Sequence, residues 1–207
     1  NVWSFTVEPF SYPIENVSAT ASSSNAEDVG PEKTIDGSGL SELGQHSTTG
    51  TDMWLSAPED PTPWIQYDFD KVYKLDQLLV WNSNQLIEPF LGLGAKDILI
   101  ETSVDGIEWA VLEDATLFSQ APGAADYLAN TGIDLHGIMA RHVRITINGA
   151  YGAAAQTGIS EVAFFSIPVR ARQPEPASGE PAERRDLVRN WRAGRDGVLH
   201  EVHVHPV

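Results

Sequence analysis

Cysteine is absent from all 207 residues. That excludes a disulfide framework and a thiolate metal site. It does not exclude an extracellular setting, because a chain of this length can bury a core large enough to do without staples. Basic residues are scarce, at 13 Lys and Arg against 29 Asp and Glu, for a formal net charge of −16. Of the 13, only Lys33, Lys71, Lys74, Lys96, Arg141 and Arg144 precede residue 168, and 23 of the acids share that stretch. A body this acidic repels phosphate backbones and anionic headgroups, so nucleic acid and anionic membranes are poor partners. No apolar run approaches the ~18–20 residues of a membrane-spanning helix. Strong helical periodicity is missing as well. So are the nucleophile elbow, the paired-histidine zinc motif and the Gly-rich phosphate loop, which leaves catalysis without a sequence foothold.

What is present reads as short strands separated by turns. Seventeen Gly and thirteen Pro are scattered without period, and hydrophobic residues make up 42%, as in an ordinary globular all-β chain. Residues 64–69 (Trp-Ile-Gln-Tyr-Asp-Phe) alternate strictly and predict a strand. Residues 75–81 form a more continuous apolar strand, buried on both faces. Residues 97–103 predict a strand that turns at Val104-Asp105-Gly106 into a hairpin partner at 109–112. Further strands are expected at 18–24, within 126–135, at 141–147 and at 160–167. Residues 30–51 and 82–94 are expected as loops, the first with one helical turn near Pro31. The expected core includes Trp64, Tyr67, Leu79, Ile98, Ile100, Val143 and Ile145, with Trp54 and Trp109 also placed inside. About eight strands with long loops describe a jelly-roll β-sandwich.

The flanks differ in character. Residues 1–13 are expected to close a preceding domain or serve as linker, with residues 2–7 alternating like a strand. Residues 14–168 form the sandwich. Residues 169–207 begin with a Pro-, Glu- and Arg-rich linker, extended and open to protease. A lone strand at 198–204 then resembles the cut-off start of a fibronectin-type-III-like domain. The whole reads as a piece of a longer protein. In the tail, His203 and His205 would share one side of a strand with His200 nearby, an arrangement open to a transition metal or to no function at all.

Four segments in order carry a family resemblance: Thr34-Ile35-Asp36-Gly37 followed by Trp54; residues 64–69; Ile98 through Ser103-Val104-Asp105-Gly106 to Trp109; and Ala140-Arg141-His142-Val143-Arg144-Ile145 followed by Gly158-Ile159-Ser160-Glu161-Val162. Together they resemble the discoidin domain, also called the coagulation factor 5/8 type C domain. The style is that of the galactose-binding-like modules attached to bacterial glycan-processing proteins. The resemblance implies a jelly roll whose ligands bind in loops at one end, with a calcium ion nearby. It implies a non-catalytic module that tethers a larger bacterial extracellular or cell-surface protein to glycans, monomeric when isolated. The alternative is a structural or protein-interaction spacer in a surface array. Animal members that bind membranes close their ends with a disulfide and present basic residues, and this chain has neither feature.

Calcium takes six to eight oxygens, mixing carboxylates with carbonyls. Asp36 sits in an Asp-Gly turn, and Glu161 holds the position where the family places its calcium carboxylate. Lys33, Ser38 and Ser160 are candidate carbonyl donors, and Asp52 falls near a family ligand position. The plainer reading has Asp36 capping a turn and Glu161 paired with Arg141 or Arg144. A sugar site needs an exposed aromatic plate beside fixed donors and acceptors. Candidates in the loops are His46, Trp81, Asn82, Asn84, Gln85, Phe90 and Tyr151, with core packing equally open for Trp81 and simple solvation for His46.

Overall fold

A computed structural model describes residues 9–169, together with the backbone of two further strands. Nine strands, one short helix and several 3-10 turns make up the main body. The strands are β1 (Tyr12–Pro13), β2 (Val17–Ala21), β3 (Trp54–Leu55), β4 (Trp64–Asn82), β5 (Ala95–Ser103), β6 (Ala110–Val111), β7 (Thr131–Asp134), β8 (Met139–Ala150) and β9 (Gly158–Ser166), and α1 spans Glu88–Leu91. Every ladder between them is antiparallel.

The fold turns on β4. The two strands expected at 64–69 and 75–81 are one strand of 19 residues. Its first half lies between β2 and β8, with Tyr67 opposite Val143. Its second half pairs with β9 and β7, with Val80 opposite Val162 and Thr131. The ladder to β8 is irregular between Asp68 and Tyr73, and the ladder to β9 between Leu75 and Gln77. Such irregularities re-aim the strand. Ile65, Tyr67 and Phe69 face inward before the bend, and Leu75, Leu78 and Val80 after it. They pack with Ile98 and Ile100 of β5, Val143, Ile145 and Ile147 of β8, and Ile159, Val162 and Phe164 of β9 in one core. The rings of Tyr67, Phe69 and Phe164 meet at its centre, each of the first two 5.1 Å from the third. This is the jelly-roll β-sandwich expected.

The same alternation corrects three expected core residues. A strand with Ile65 and Tyr67 inside must turn Trp64 outward, and Trp64 is half-buried on the outer face. Trp109 also lies half-buried outside, stacked on Arg144. Leu79 is out of phase with Leu78 and Val80 and joins a second, smaller cluster with Trp81, Ala121 and Tyr127. Trp54 is buried in the core as expected.

Both ends of β4 arrive at one end of the sandwich. Trp64 is paired with Thr146, Asn82 with Ile159, and Ala95 with Ala150. The loops that leave this end are 22–63, 82–94 and 148–157. The opposite end holds the bend of β4 and the β1–β9 pair, Tyr12 with Ser166. Beyond the sandwich, β10 (Leu187–Trp191) and β11 (His200–Val204) form an antiparallel pair, so the strand expected to stand alone has a partner. The strand expected at 2–7, the linker after 169 and the side chains of the tail histidines lie outside the described residues.

Candidate functional site

The loop end gathers nearly every candidate singled out in the sequence, in two groups. The first surrounds Glu161. Turn residues Pro31–Thr34 pack against β9 and β3, and the Thr34 hydroxyl donates to the Pro31 carbonyl while accepting from Tyr67. This fixes the 30–40 loop beside the last strand. Gly37 and Gly39 both have positive φ, and a Cβ on Gly39 would meet His46 at 2.8 Å and Asp52 at 2.9 Å. Only glycine lets the chain pass so close.

Within this group Asp36 accepts the Ser38 backbone amide at 2.7 Å and meets Lys33 Nζ at 3.4 Å. Its carboxyl lies below the ordinary range: burial pushes it up, but hydrogen bonds from Ser38 and the Lys33 charge outweigh that. Glu161 forms no ion pair with Arg141 or Arg144. It is 5% exposed, and one carboxylate oxygen has no hydrogen-bond partner. Burial, reinforced by repulsion from Asp36 and opposed by the Gly37 backbone amide, pushes it up to about 8. The Ser38 hydroxyl and His46 Nε2 are also buried, the hydroxyl turned toward Asp36. Asp52 accepts from Ser47 at 2.6 Å, and the Ser160 hydroxyl donates to the Asn82 carbonyl at 2.8 Å. No cluster of three or more His, Asp or Glu side chains able to hold a metal occurs among the described residues. An ion here would therefore draw on two carboxylates and on main-chain oxygens.

The second group is the set of sugar candidates, and the structure divides it. His46, Trp81, Asn82 and Asn84 are buried. His46 is not solvated: Nδ1 bonds the Ser47 carbonyl, and burial holds its pKa below the ordinary value. Trp81 donates to the Gly44 carbonyl at 2.9 Å and packs on Tyr127. The Asn82 amide bonds the Ala95 and Ser119 carbonyls. Asn84 ties three loops, donating to His46, Ser47 and Ala124 and accepting from Gly123 and Ala124. These side chains satisfy backbone that the irregular loops leave unpaired, so they are not free to meet a ligand. Gln85, Phe90 and Tyr151 remain at the surface, with Phe90 88% exposed. The Tyr151 hydroxyl donates to the Phe118 carbonyl at 2.6 Å, and its ring is half-buried.

Helix α1 carries Phe90 and was not foreseen. Its signals are nonetheless in the sequence: an acidic residue and Pro89 at the start, and Gly92 just past the end at φ 61°. Buried Glu88 fastens it, accepting from Gly94 N at 3.0 Å and Gln120 at 3.2 Å, and burial raises its pKa. Leu86, Ile87 and Leu91 are exposed beside Phe90. The 148–157 loop reaches this patch, where Gly152 N bonds Gly92 O at 2.8 Å. Further along, the same loop lines a cleft of about 280 Å³ with Pro58, Asp60, Pro61 and Gln156. The loop end thus offers an aromatic plate, an apolar fringe and a polar cleft on either side of one loop.

The sequence model of the F5/8 type C domain matches residues 18–162. No curated protein matches the chain. Among solved structures, the chain resembles the family 32 CBM of NanJ from Clostridium perfringens in complex with galactose. There the identity is 14%, the TM-score 0.56, and 76% of this chain and 98% of that one are covered. A fragment of a chitobiase-like protein from Bacteroides thetaiotaomicron is 19% identical over 82% of this chain and 100% of that one, with a TM-score of 0.57. A glycoside hydrolase, CpGH89 from C. perfringens, in complex with GlcNAc-α-1,4-galactose, is 18% identical over 75% of this chain, with a TM-score of 0.52, and only 14% of that longer chain is covered. At these identities the likeness is one of fold.

Proposed function

This chain belongs to the F5/8 type C domain family, and from that premise we propose that it is a non-catalytic carbohydrate-binding module whose site lies at the loop end around Phe90. The carrying observation is the exposure of Phe90 on a helix pinned by a buried carboxylate. An exposed aromatic face suits the C–H face of a pyranose, and Gln85 supplies a polar side chain beside it. Galactose and GalNAc-β-1,3-galactose, bound by structures of this fold, set the sugar class to test first. A shallow site of this kind binds at roughly micromolar to millimolar Kd, made useful by repetition in a larger protein. Tethering of an extracellular or surface bacterial protein to glycans follows from this reading. No helix among the described residues is long and apolar enough to cross a membrane.

Calcium belongs to the same proposal. The unpartnered oxygen of Glu161, with Asp36 close enough to raise the Glu161 pKa and the buried Ser38 hydroxyl beside it, forms an oxygen-lined niche that turns negative as Glu161 ionises. Asp36 and Glu161 would hold the ion with main-chain oxygens from Lys33, Ser38 and Ser160, and Asp52 stands at the edge. The bound ion would neutralise the niche and hold the 30–54 loop against β9. Its role is structural.

A second reading, a protein-interaction or spacer domain, draws on the aliphatic fringe of Leu86, Ile87 and Leu91 around Phe90. A glycan array followed by titration of the best sugar separates the two. Phe90→Ala should weaken sugar binding about three- to tenfold, the worth of one aromatic contact. A chain that binds no sugar on the array, with or without calcium, overturns the first reading and leaves the second. Calcium should raise the melting temperature over chelator by mass action, and Asp36→Ala and Glu161→Ala should abolish the difference. An unchanged melt removes calcium.

A further inference from the structure

The outer face of the sheet built from β2, β4, β8, β5 and β6 holds side chains that the loop end does not use. Alternation along β4 turns Trp64, Gln66 and Asp68 outward, and the register sets Gln66 opposite Arg144 and Asp68 opposite His142. The turn after β5 then folds back over this face. Asp105 accepts the amides of Ile107 and Glu108, the Ser103 hydroxyl accepts that of Gly106, and Trp109 donates to the Gly106 carbonyl. This lays the Trp109 ring 4.2 Å from the Arg144 guanidinium carbon, with the Trp64 ring 5.3 Å away.

Charges on this face are unevenly matched. Asp68 is bonded by His142 and by the Gln66 amide. Arg144 meets only a neutral acceptor: Nε and one Nη donate to Gln66 Oε1 at 3.2 and 2.7 Å. It forms no ion pair with any described residue, although Glu101 lies in register across β8 and β5. Its remaining Nη hydrogens have no protein acceptor among the described residues. The planar guanidinium, packed by two indoles and bonded to one amide, has lost much of its rotamer freedom, and its open edge matches a carboxylate or sulfate. Two acids share the neighbourhood of Arg144: Asp68, joined to it through the Gln66 amide and already bonded by His142, and Glu101, in register with it.

We infer that Arg144, clasped between Trp64 and Trp109 on the outer sheet face, is a second binding site, taking the acidic group of an anionic sugar with the sugar ring against the indoles. The site is separate from the loop end and does not depend on the reading of Phe90. Uronate carboxylates and sugar sulfates share the required chemistry. The full chain, labelled with ¹⁵N, would be titrated with tetragalacturonate, with a sulfated galactan tetrasaccharide lacking carboxylates, and with neutral galactotetraose. At least one acidic probe should move the resonances of Gln66, Arg144 Nε and the Trp109 indole, and the neutral probe should not. A response to one acidic probe alone names the source. Arg144→Gln should weaken binding about tenfold or more, as expected for a charge-assisted fork. Glu101→Gln should tighten it about threefold by removing the competing acid, while Phe90→Ala should leave it unchanged. The inference is overturned if neither acidic probe moves these resonances, if the neutral probe moves them equally, or if Glu101→Gln fails to tighten binding. The wild-type map and Glu101→Gln decide the matter even if Arg144→Gln does not fold.

Discussion

Asn84→Ala should cost the domain more than its single side chain suggests. Asn84 is fully buried, and its amide makes five hydrogen bonds to main-chain atoms of two other loops, at 2.8 to 3.2 Å. A typical internal bond is worth about 0.5–1.5 kcal/mol net. The two longest count at the low end, and some freed groups lie close enough to the surface to be hydrated. The balance is a loss of roughly 2–4 kcal/mol, a large share of the ~5–15 kcal/mol of a whole domain. Asn84→Asp is the sharper test. It keeps the acceptors but sets a carboxylate against the carbonyls of His46, Ser47 and Ala124. It should cost more than Ala at pH 7 and less as the pH falls and the acid is protonated, because burial without a cation raises its folded pKa. Urea unfolding measures both, and hydrogen exchange should show faster opening at residues 46–48 and 123–124. An Ala variant within ~1 kcal/mol of the parent, or an Asp variant no worse than Ala at neutral pH, would refute the reasoning that Asn84 is the knot of the loop end.

Three further outcomes are expected. Gly92→Ala should displace α1, since a Cβ there would lie 2.3 Å from Gly152 N at a positive φ; sugar binding should fall with only modest change in the melt, and unchanged binding would show that α1 tolerates the shift. In the calcium-free chain, the Glu161 pKa of about 8 exceeds its ordinary 4.5, so the folded state holds the extra proton. Stability should therefore decline, by on the order of a few kcal/mol, as pH rises from about 4.5 to 8. Melts across that range should show a shallower decline for Glu161→Gln, since Glu88 and His46 still contribute. Phe164→Ala, at the centre of the aromatic cluster, should cost about 3–5 kcal/mol, read from the urea midpoint.

Most of the sandwich was legible because period-2 alternation survives wherever one face is buried, as in Val143, Ile145 and Ile147 of β8. The bend in β4 was not. Asp70-Lys71-Val72 has the composition of a turn between two strands, and only the pairing of both halves to other strands shows that it is one bent strand. Trp64 and Trp109 sit in strand motifs, which do not say which face a side chain takes; both turn outward, where an indole covering an arginine stem is still half-buried. At the loop end, Asp36 lies close enough to Glu161 to raise its pKa. His46, Asn82 and Asn84 are buried and bonded to main chain, which was not legible, because polar residues that serve a sugar and polar residues that serve unpaired backbone look alike in sequence. Only their partners separate them.

The pairing of Tyr12 with Ser166 has a mechanical consequence. Antiparallel partners sit about 5 Å apart, so a chain threaded through this module arrives and departs at almost the same point, at the end away from the loops. A module joined in this way hangs from its polypeptide as a pendant, adding about the width of one strand to the contour of any longer chain that carries it. Tension along that contour would load the two-residue seam between β1 and β9 first, peeling it open one rung at a time. The wrapped strands would stay slack, and the loop end would keep facing away from the line of pull.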